Sequence, residues 1–400
     1  MTEIEERLAE LRDRGLYRKL RMISGPQGPR VLLDGKPVLL LCSNNYLGLA
    51  DHPRVREAAA DAAMRWGVGA GASRLVSGSM TVHRRLEEQL ADFKGTDACV
   101  LFGSGYLANT GIVQALAGAG DVVFSDELNH ASIVDGCRLS RAETFVYDHC
   151  DMDHLEWGLR EAHGRGSLIV TDGVFSMDGD VAPLAEIVEL AARHDARIVV
   201  DEAHGTGALG PGGRGSVAAA GLESEVDVVV GTLGKSLGSY GAYACCEESM
   251  ARYLVNTART FIFSTALPPP AVAGALAALE LLREQPGRVD KLARNASVLR
   301  EALESEGLDV SGSTTQILPL VVGGASQAMA ACERALAGGV FAQAIRPPTV
   351  AEGSSRLRLA VMASHTKKEL RHAAGVLAAS IRASRGQARS AIFDGLAEAA

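Results

Sequence analysis

The sequence predicts an α/β protein with a large domain built on a mostly parallel β-sheet and a second, smaller α+β domain. From about residue 96, short runs of β-branched residues alternate with helical patterns. The runs are apolar throughout, which is typical of parallel strands buried beneath helices on both faces of a sheet. After about residue 275 the pattern changes to longer helices and short strands. The chain has 400 residues, enough for two or three domains.

The N-terminal and central elements are predicted in chain order. An amphipathic helix is predicted over residues 3–20, and a hairpin over 31–41 around the turn Asp34-Gly35-Lys36-Pro37. An apolar stripe that begins just after Pro183 predicts a helix between two strands of the large sheet. Those strands are predicted at residues 98–102, 122–124, 168–170, 198–200 and 226–230.

The C-terminal part has its own pattern. It predicts helices at 270–284 and 286–305, strands at 317–322, 341–345 and 356–361, and a helix after Thr366. We therefore expect three segments: an N-terminal helix and hairpin that pack with the small domain (1–45), the large domain (46–275), and the small domain with a polar tail from about 384 (276–400).

Composition excludes several classes of protein. Hydrophobic residues make up 47% and charged residues 22%, as in ordinary globular proteins. With 40 Lys+Arg and 48 Asp+Glu the net charge is −8, which disfavours nucleic-acid binding. The apolar run at 271–279 is too short to span a bilayer, and the first 20 residues do not resemble a secretory signal. The seven cysteines include no Cys-x-x-Cys pair, so we expect reduced thiols, no metal and a cytoplasmic location.

Residues that follow two of the predicted strands are candidates for catalysis. The run Arg197-Ile198-Val199-Val200-Asp201-Glu202-Ala203-His204 delivers an acid and a histidine at the end of a buried strand, where open α/β sheets bind ligands. A second apolar run, Val228-Val229-Val230, leads through Gly231 and Thr232 to Lys235. Pyridoxal phosphate (PLP) chemistry needs a lysine for a Schiff base and a carboxylate for the pyridinium nitrogen. By itself, Lys235 is as consistent with a solvated loop lysine as with a catalytic one. The presence of Asp201 and His204 at a neighbouring strand end favours the catalytic role.

The glycines of the chain do not form a nucleotide-binding motif. Gly234-Lys235-Ser236 resembles the end of a P-loop, but the glycine required five positions before Gly234 is Val229. The cluster Gly67-Val68-Gly69-Ala70-Gly71 follows a helical pattern instead of a strand, which does not match a dinucleotide fingerprint.

Three further positions follow strands of the predicted sheet. Gly105 and Tyr106 open a helix after a strand, so their amides are placed to bind a phosphate. His130 begins a helix, where a histidine is by itself more often simply exposed. Ser176 follows the strand at 168–170, where turn formation alone could explain it.

Six ordered motifs in residues 10–380 resemble one family. They are Ser43-Asn44-Asn45-Tyr46-Leu47-Gly48, Gly71-Ala72-Ser73-Arg74-Leu75-Val76-Ser77-Gly78, Phe102-Gly103-Ser104-Gly105-Tyr106, Asn129-His130-Ala131-Ser132, Asp201-Glu202-Ala203-His204 and Gly231-Thr232-Leu233-Gly234-Lys235. The set resembles the α-oxoamine synthases, which are fold-type-I PLP enzymes that condense an amino acid with an acyl thioester. The resemblance implies a fold-type-I transferase with a seven-stranded sheet in its large domain.

The resemblance also implies a role for each matching residue. It implies that Lys235 forms the Schiff base, that Asp201 pairs with the ring nitrogen and that His204 forms a hydrogen bond with the phenolic oxygen. It also implies that His130 stacks on the face of the ring and contacts the substrate. Further cofactor contacts fall to Gly105, Tyr106, Ser176 and Thr232. Ser264 and Thr265 match positions that reach the phosphate in the neighbouring subunit, which implies a homodimer. Substrate contacts fall to Arg18, Asn45, Thr349 and Arg358, although Arg18 and Arg358 would otherwise be interpreted as solvated charges.

The substrate branch is less strongly indicated. The runs at 259–265, 344–350 and 355–358 resemble the branch that condenses L-alanine with a pimeloyl thioester in biotin biosynthesis. Asp172 stands where glutamate is expected and Ala351 where proline is expected, which keeps glycine with acetyl-CoA as an alternative. A non-catalytic dimer partner is the alternative from another class, but such proteins usually lack the lysine or its acid.

Overall fold

A computed structural model of the chain describes residues 2–310 and 312–398, with side chains as far as residue 385. Of the tail expected from about 384, the side chains beyond 385 therefore lie outside the described residues. Over the described residues the strands run in chain order as β1 (Ile23–Ser24), β2 (Arg30–Leu33), β3 (Lys36–Leu40), β4 (Ala98–Phe102), β5 (Val122–Asp126), β6 (Glu143–Tyr147), β7 (Ser167–Asp172), β8 (Arg197–Asp201), β9 (Val228–Thr232), β10 (Ala242–Cys246), β11 (Ile317–Gly323), β12 (Val340–Phe341), β13 (Gln343–Ile345) and β14 (Ser355–Ala360).

The α-helices alternate with these strands. In chain order they are α1 (Glu3–Asp13), α2 (Pro53–Trp66), α3 (Thr81–Lys94), α4 (Gly105–Leu116), α5 (Ala131–Ser140), α6 (Met152–Glu161), α7 (Leu184–His194), α8 (Ser216–Ala220), α9 (Glu248–Thr257), α10 (Arg259–Ile262), α11 (Pro269–Glu284), α12 (Gly287–Ser305), α13 (Ala325–Ala337) and α14 (Lys367–Glu398). None of them, in the described part of the chain, has the length and apolar character needed to cross a membrane.

The chain divides into two compact units. The smaller unit consists of Met1–Asn44, Met177–Gly179 and Lys291–Ala400, and the larger unit of Asn45–Ser176 and Asp180–Asp290. The larger unit thus includes all of α11, which a boundary at residue 275 would cut in two.

The larger unit is built on a sheet that has, among the described residues, seven strands in the order β4-β10-β9-β8-β7-β5-β6. The neighbours from β9 to β6 pair in parallel, and β10 pairs antiparallel with both β4 and β9. The expected α/β fold with a large, mostly parallel sheet is therefore confirmed. Two strands were not predicted, because β10 is rich in alanine and cysteine and β6 is partly exposed and mixed in polarity.

The central strands are buried because both faces of the sheet are covered. Val123, Val170, Val199 and Val230 are fully buried, and each contributes roughly 1.5–3 kcal/mol by its burial. Gly231 allows β9 to approach β10 closely, since a Cβ there would lie 2.3 Å from the Tyr243 ring. Packing of this kind holds the strand ends, and the loops that follow them, in fixed positions.

The smaller unit contains two further sheets, with strand orders β1-β2-β3-β12 and β11-β14-β13 in the described residues. The predicted hairpin is formed by β2 and β3. The predicted helix at 3–20 is wrong beyond Asp13, where Arg14 caps α1 and Gly15 adopts a φ of +65°. The predicted strand at 341–345 is also wrong, because it is divided between β12 and β13 in different sheets.

Candidate active site

The loops after five strands of the large sheet line one cavity. β5, β7, β8 and β9 are parallel, and β4 runs in the same direction because β10 is antiparallel to both β4 and β9. Their carboxyl ends therefore meet at one edge, where the cavity measures about 200 Å³. It is lined by Gly105, Tyr106, His130, Ser132, Asp172, Ser176, Asp201, Ala203, His204, Thr232 and Lys235. Eight of these are residues singled out in the sequence.

Asp201 is held in a fixed orientation at the end of β8. Its side chain is buried, with 5% of the residue exposed. Oδ2 accepts a hydrogen bond from Asn109 Nδ2 at 2.7 Å, and Oδ1 accepts one from the Ala203 amide at 2.8 Å. Asn109 in turn donates to Ser132 Oγ at 2.9 Å. The arrangement presents a buried carboxylate, oriented by amide donors, to the cavity.

Lys235 lies in the turn after β9 and contacts a histidine. Its Nζ is 2.8 Å from His204 Nε2. The other ring nitrogen of His204, Nδ1, is 2.7 Å from the hydroxyl oxygen of Tyr46. Tyr46 and His204 are both buried, so these contacts form a short polar chain shielded from water.

His130 caps the N-terminus of α5 beside a second carboxyl group. Its main-chain N–H donates to Asp172 Oδ2 at 3.0 Å, and its Nδ1 is 2.7 Å from Ser132 Oγ. Burial and the cationic Lys235 lower the pKa of His130, against the opposing effect of Asp201, so its ring is neutral near pH 7. Burial, and then the neighbouring Asp201, raise the pKa of Asp172 well above its usual range.

The N-terminus of α4 opens onto the same cavity. Ser104 is its N-cap and accepts a hydrogen bond from the Leu107 amide at 3.2 Å. Gly105 and Tyr106, the first two residues of the helix, both line the cavity, and a Cβ built on Gly105 meets no atom within 4 Å. Such an end attracts anions, because its N–H groups and the helix dipole both favour negative charge.

Other residues singled out in the sequence lie elsewhere in the larger unit. Ser264 and Thr265 line a separate small cavity with Phe261, and Thr265 pairs with Ser73. Asn45 is buried, and its Oδ1 accepts a hydrogen bond from the Ala50 amide at 3.2 Å.

The smaller unit has a cationic cavity of its own, about 680 Å³ in volume. Arg18 and Thr349 line it together with Arg346. Burial, and then the charge of Arg18, lower the pKa of Arg346. Four cationic residues (Arg18, Lys19, Arg21 and Arg346) and one acidic residue (Glu333) line this space, so its charge favours an anionic ligand. Arg358 on β14 is buried, and its Nη1 donates to Asn44 Oδ1 at 3.2 Å.

Sequence reasoning missed three residues of the site. Tyr46 belongs to one of the quoted motifs but received no role, although it contacts His204. Asn109 and Ser132 orient Asp201 and His130. Asn109 sits within a helical pattern, where nothing in the sequence distinguishes it from an ordinary polar helix residue.

The chain is similar to known proteins over most of its length. The model of the aminotransferase class I and II family matches residues 36–377. An 8-amino-7-oxononanoate synthase of Citrifermentans bemidjiense is 54% identical over 380 residues, which are 94% of this chain and 97% of that protein. The protein of that name from Geobacter metallireducens is 55% identical over 378 residues, which cover 94% and 96%.

Solved structures show the same relationship. A serine palmitoyltransferase from S. paucimobilis with a bound adduct of PLP and myriocin has a TM-score of 0.91 at 33% identity and covers 96% of this chain and 98% of that one. An 8-amino-7-oxononanoate synthase from Francisella tularensis has a TM-score of 0.75 at 26% identity, over 87% and 99%. The chain therefore belongs to the aminotransferase class I and II family and, within it, to the α-oxoamine synthases.

Proposed function

We propose that the protein is a PLP-dependent acyltransferase that condenses L-alanine with a pimeloyl thioester, giving 8-amino-7-oxononanoate, carbon dioxide and a free thiol in biotin biosynthesis. The observation that carries the proposal is the single cavity that combines Lys235, the buried Asp201 and the open N-terminus of α4. The substrates are supported by relatives at 54–55% identity that carry the name of this activity.

The residues of the cavity fit PLP. Lys235 offers an amine for the aldehyde, Asp201 a buried carboxylate for the ring nitrogen, and Gly105 and Tyr106 an unfilled amide cradle for the phosphate. The neutral ring of His130 is suited to stack on a flat heterocycle. Ser176 and Thr232 add hydroxyl groups, and His204 provides an N–H for the phenolic oxygen.

When bound, PLP supplies a cationic ring that stabilises negative charge at the Cα of the amino acid. Asp201 maintains that property, because a carboxylate beside the ring nitrogen keeps the nitrogen protonated. Lys235 would take the Cα proton as general base. The Cα carbon would then bond to the acyl carbon as the carbon–sulfur bond breaks, and the thiolate that leaves would take up a proton to give the free thiol. After the carboxylate has left as carbon dioxide, Lys235 returns a proton to the same carbon.

We propose substrate contacts for Arg358, Arg18, Thr349, Asn45 and His130. The planar guanidinium group of Arg358 is suited to bind the carboxylate of the amino acid through two parallel hydrogen bonds. Arg18 and Thr349, in a cationic cavity, suit the distal carboxylate of a pimeloyl chain or the phosphates of its carrier. Asn45 and His130 contribute polar contacts to the substrate. We also propose that the protein is a homodimer whose active sites are shared between the two subunits. We further propose a cytoplasmic location, which is consistent with seven free cysteine thiols.

A thiol-release assay tests the proposal directly. Alanine, glycine and serine are each paired with pimeloyl-, acetyl-, succinyl- and palmitoyl-CoA, and kcat/KM is measured for every pair. Alanine with pimeloyl-CoA should give the highest value, and Lys235→Ala should abolish both turnover and the visible absorption of the bound cofactor. A maximum for glycine with acetyl-CoA would overturn the substrates but not the cofactor. A protein expressed alone that is folded, loaded and inactive would be a non-catalytic partner.

A further inference from the structure

Tyr46 is connected to the catalytic lysine through one histidine. Its hydroxyl oxygen is 2.7 Å from His204 Nδ1, and His204 Nε2 is 2.8 Å from Lys235 Nζ. The Tyr46 side chain has no solvent exposure and His204 has 7%. Bulk water therefore does not decide which nitrogen of His204 carries the proton, and the hydrogen-bond partners of the ring decide it.

The two partners of His204 require opposite tautomers. While Lys235 is an ammonium group, it donates to Nε2, so the ring proton is on Nδ1 and Tyr46 accepts it. When the phenolic oxygen of PLP is the partner, as in the proposed function on which this inference rests, Nε2 must carry the proton. Nδ1 is then an acceptor and needs a donor.

A tyrosine hydroxyl satisfies both requirements, because it can accept one hydrogen bond and donate another. We propose that Tyr46 is the positioning residue of this site, which accepts from His204 Nδ1 before the cofactor is bound and donates to it afterwards. In the second state it holds Nε2–H toward the phenolic oxygen. The change moves one proton of the ring: the N–H bond at Nδ1 breaks and one at Nε2 forms, so the ring of His204 is neutral in both states.

Other charged groups face the same place and are part of the electrostatic setting. The charges of Asp201 and Lys235 act on Asp172 and on His130. None of these changes in Tyr46→Phe, which removes one oxygen and keeps the ring. Tyr147→Phe is the matched control, because Tyr147 is a fully buried tyrosine on β6, at the edge of the sheet.

The first test compares the loaded wild type with both variants. In Tyr46→Phe the midpoint of the pH-dependent change in cofactor absorption should move by about 0.5–1 pH unit, as expected for one lost hydrogen bond. The kcat should fall about tenfold while KM for alanine changes less than about twofold. Tyr147→Phe should match the wild type in the midpoint of the absorption change, in kcat and in KM for alanine. An unshifted midpoint in folded, loaded Tyr46→Phe would overturn the proposal, even if kcat fell.

The second test needs no variant of Tyr46 and no turnover. The full chain is labelled with ¹⁵N-histidine, and the His204 signals are identified by their loss in His204→Asn. The tautomer should change from Nδ1–H to Nε2–H when PLP is added. One tautomer in both states, or an imidazolium in either, would overturn the role of Tyr46. Failure to make 8-amino-7-oxononanoate would overturn only the proposed function, since the NMR result does not depend on product.

Discussion

The proposed contact of Arg358 with the amino acid depends on the shape of its guanidinium group. Arg358 is 6% exposed, and a guanidinium in that setting can hold a carboxylate through two parallel hydrogen bonds. Lysine keeps the charge but offers a single point of contact. Arg358→Lys should therefore raise KM for L-alanine about tenfold or more, because one charge-assisted hydrogen bond contributes about 1.5–3 kcal/mol. Initial rates at varied alanine concentration measure the effect.

Arg356 provides the control for this prediction. It lies two residues earlier on β14, is equally buried, and already pairs with Asp178. Arg356→Lys should leave KM for alanine within about twofold of the wild type, since it keeps one ion pair and its charge. Equal effects of the two substitutions on KM would mean that β14 as a whole was disturbed, and not the contact between Arg358 and the carboxylate of alanine.

Single residues also mark how far the sequence could predict the site. Asp201 and Lys235 were predicted because each follows an apolar strand directly, so their position depends only on local pattern. Tyr46 is 158 residues from His204 in the chain, and Asn109 is 92 residues from Asp201. Such partners are defined by the folded sheet, and no local pattern encodes them.

Among the secondary-structure elements, β5 is connected to the segment after β7 through a partly buried ionic cluster, in which only Asp126 is fully buried. His149 Nδ1 is 2.8 Å from Asp126 at the end of β5, and its Nε2 is 2.8 Å from Asp180. The ring also stacks edge-on against Phe175, 4.4 Å away. Burial favours the neutral imidazole, but the hydrogen bonds to Asp126 and Asp180 outweigh it and raise the pKa of His149 to about 12.

This cluster makes stability depend on pH with a definite sign. The folded pKa of about 12 exceeds the ordinary histidine pKa of 6.5, so the stabilisation is complete below pH 6.5 and is lost as pH rises toward 12. His149→Gln should lower the free energy of unfolding by about 3 kcal/mol at pH 6, and the difference should shrink steadily above about pH 7. Urea unfolding at pH 6, 8 and 9.5 measures it. A difference that is constant or grows with pH would contradict the charged pair.

Secondary-structure elements were predicted well where burial repeats along the chain. β4 has the predicted bounds, and α11 begins one residue before the predicted helix. The error at α1 has a physical cause: this helix has no buried residue, so its apolar spacing did not reflect a packed face. Its capping box at Thr2 sets its start, and Gly15 follows its end.

At the scale of the whole molecule, one chain does not account for all the residues that the resemblance assigns to the cofactor. Ser264 and Thr265 line a different cavity from that of Lys235. Met64, Val68 and Val76 are each at least 79% exposed, so these apolar side chains are accessible to a second subunit. Both observations support a dimer in which the second subunit contributes Ser264 and Thr265 to the site.

Mixed dimers test that arrangement. Lys235→Ala lacks the lysine, and Ser264→Ala with Thr265→Ala lacks the donated hydroxyls, so each homodimer should be nearly inactive. In a mixed dimer one site receives both defects and the other receives none. Random mixing makes half of the dimers mixed, so coexpression should restore about a quarter of wild-type activity. Activity no higher than the mean of the two variants would show that each site is complete within one chain, because only shared sites allow two defective subunits to build an intact one.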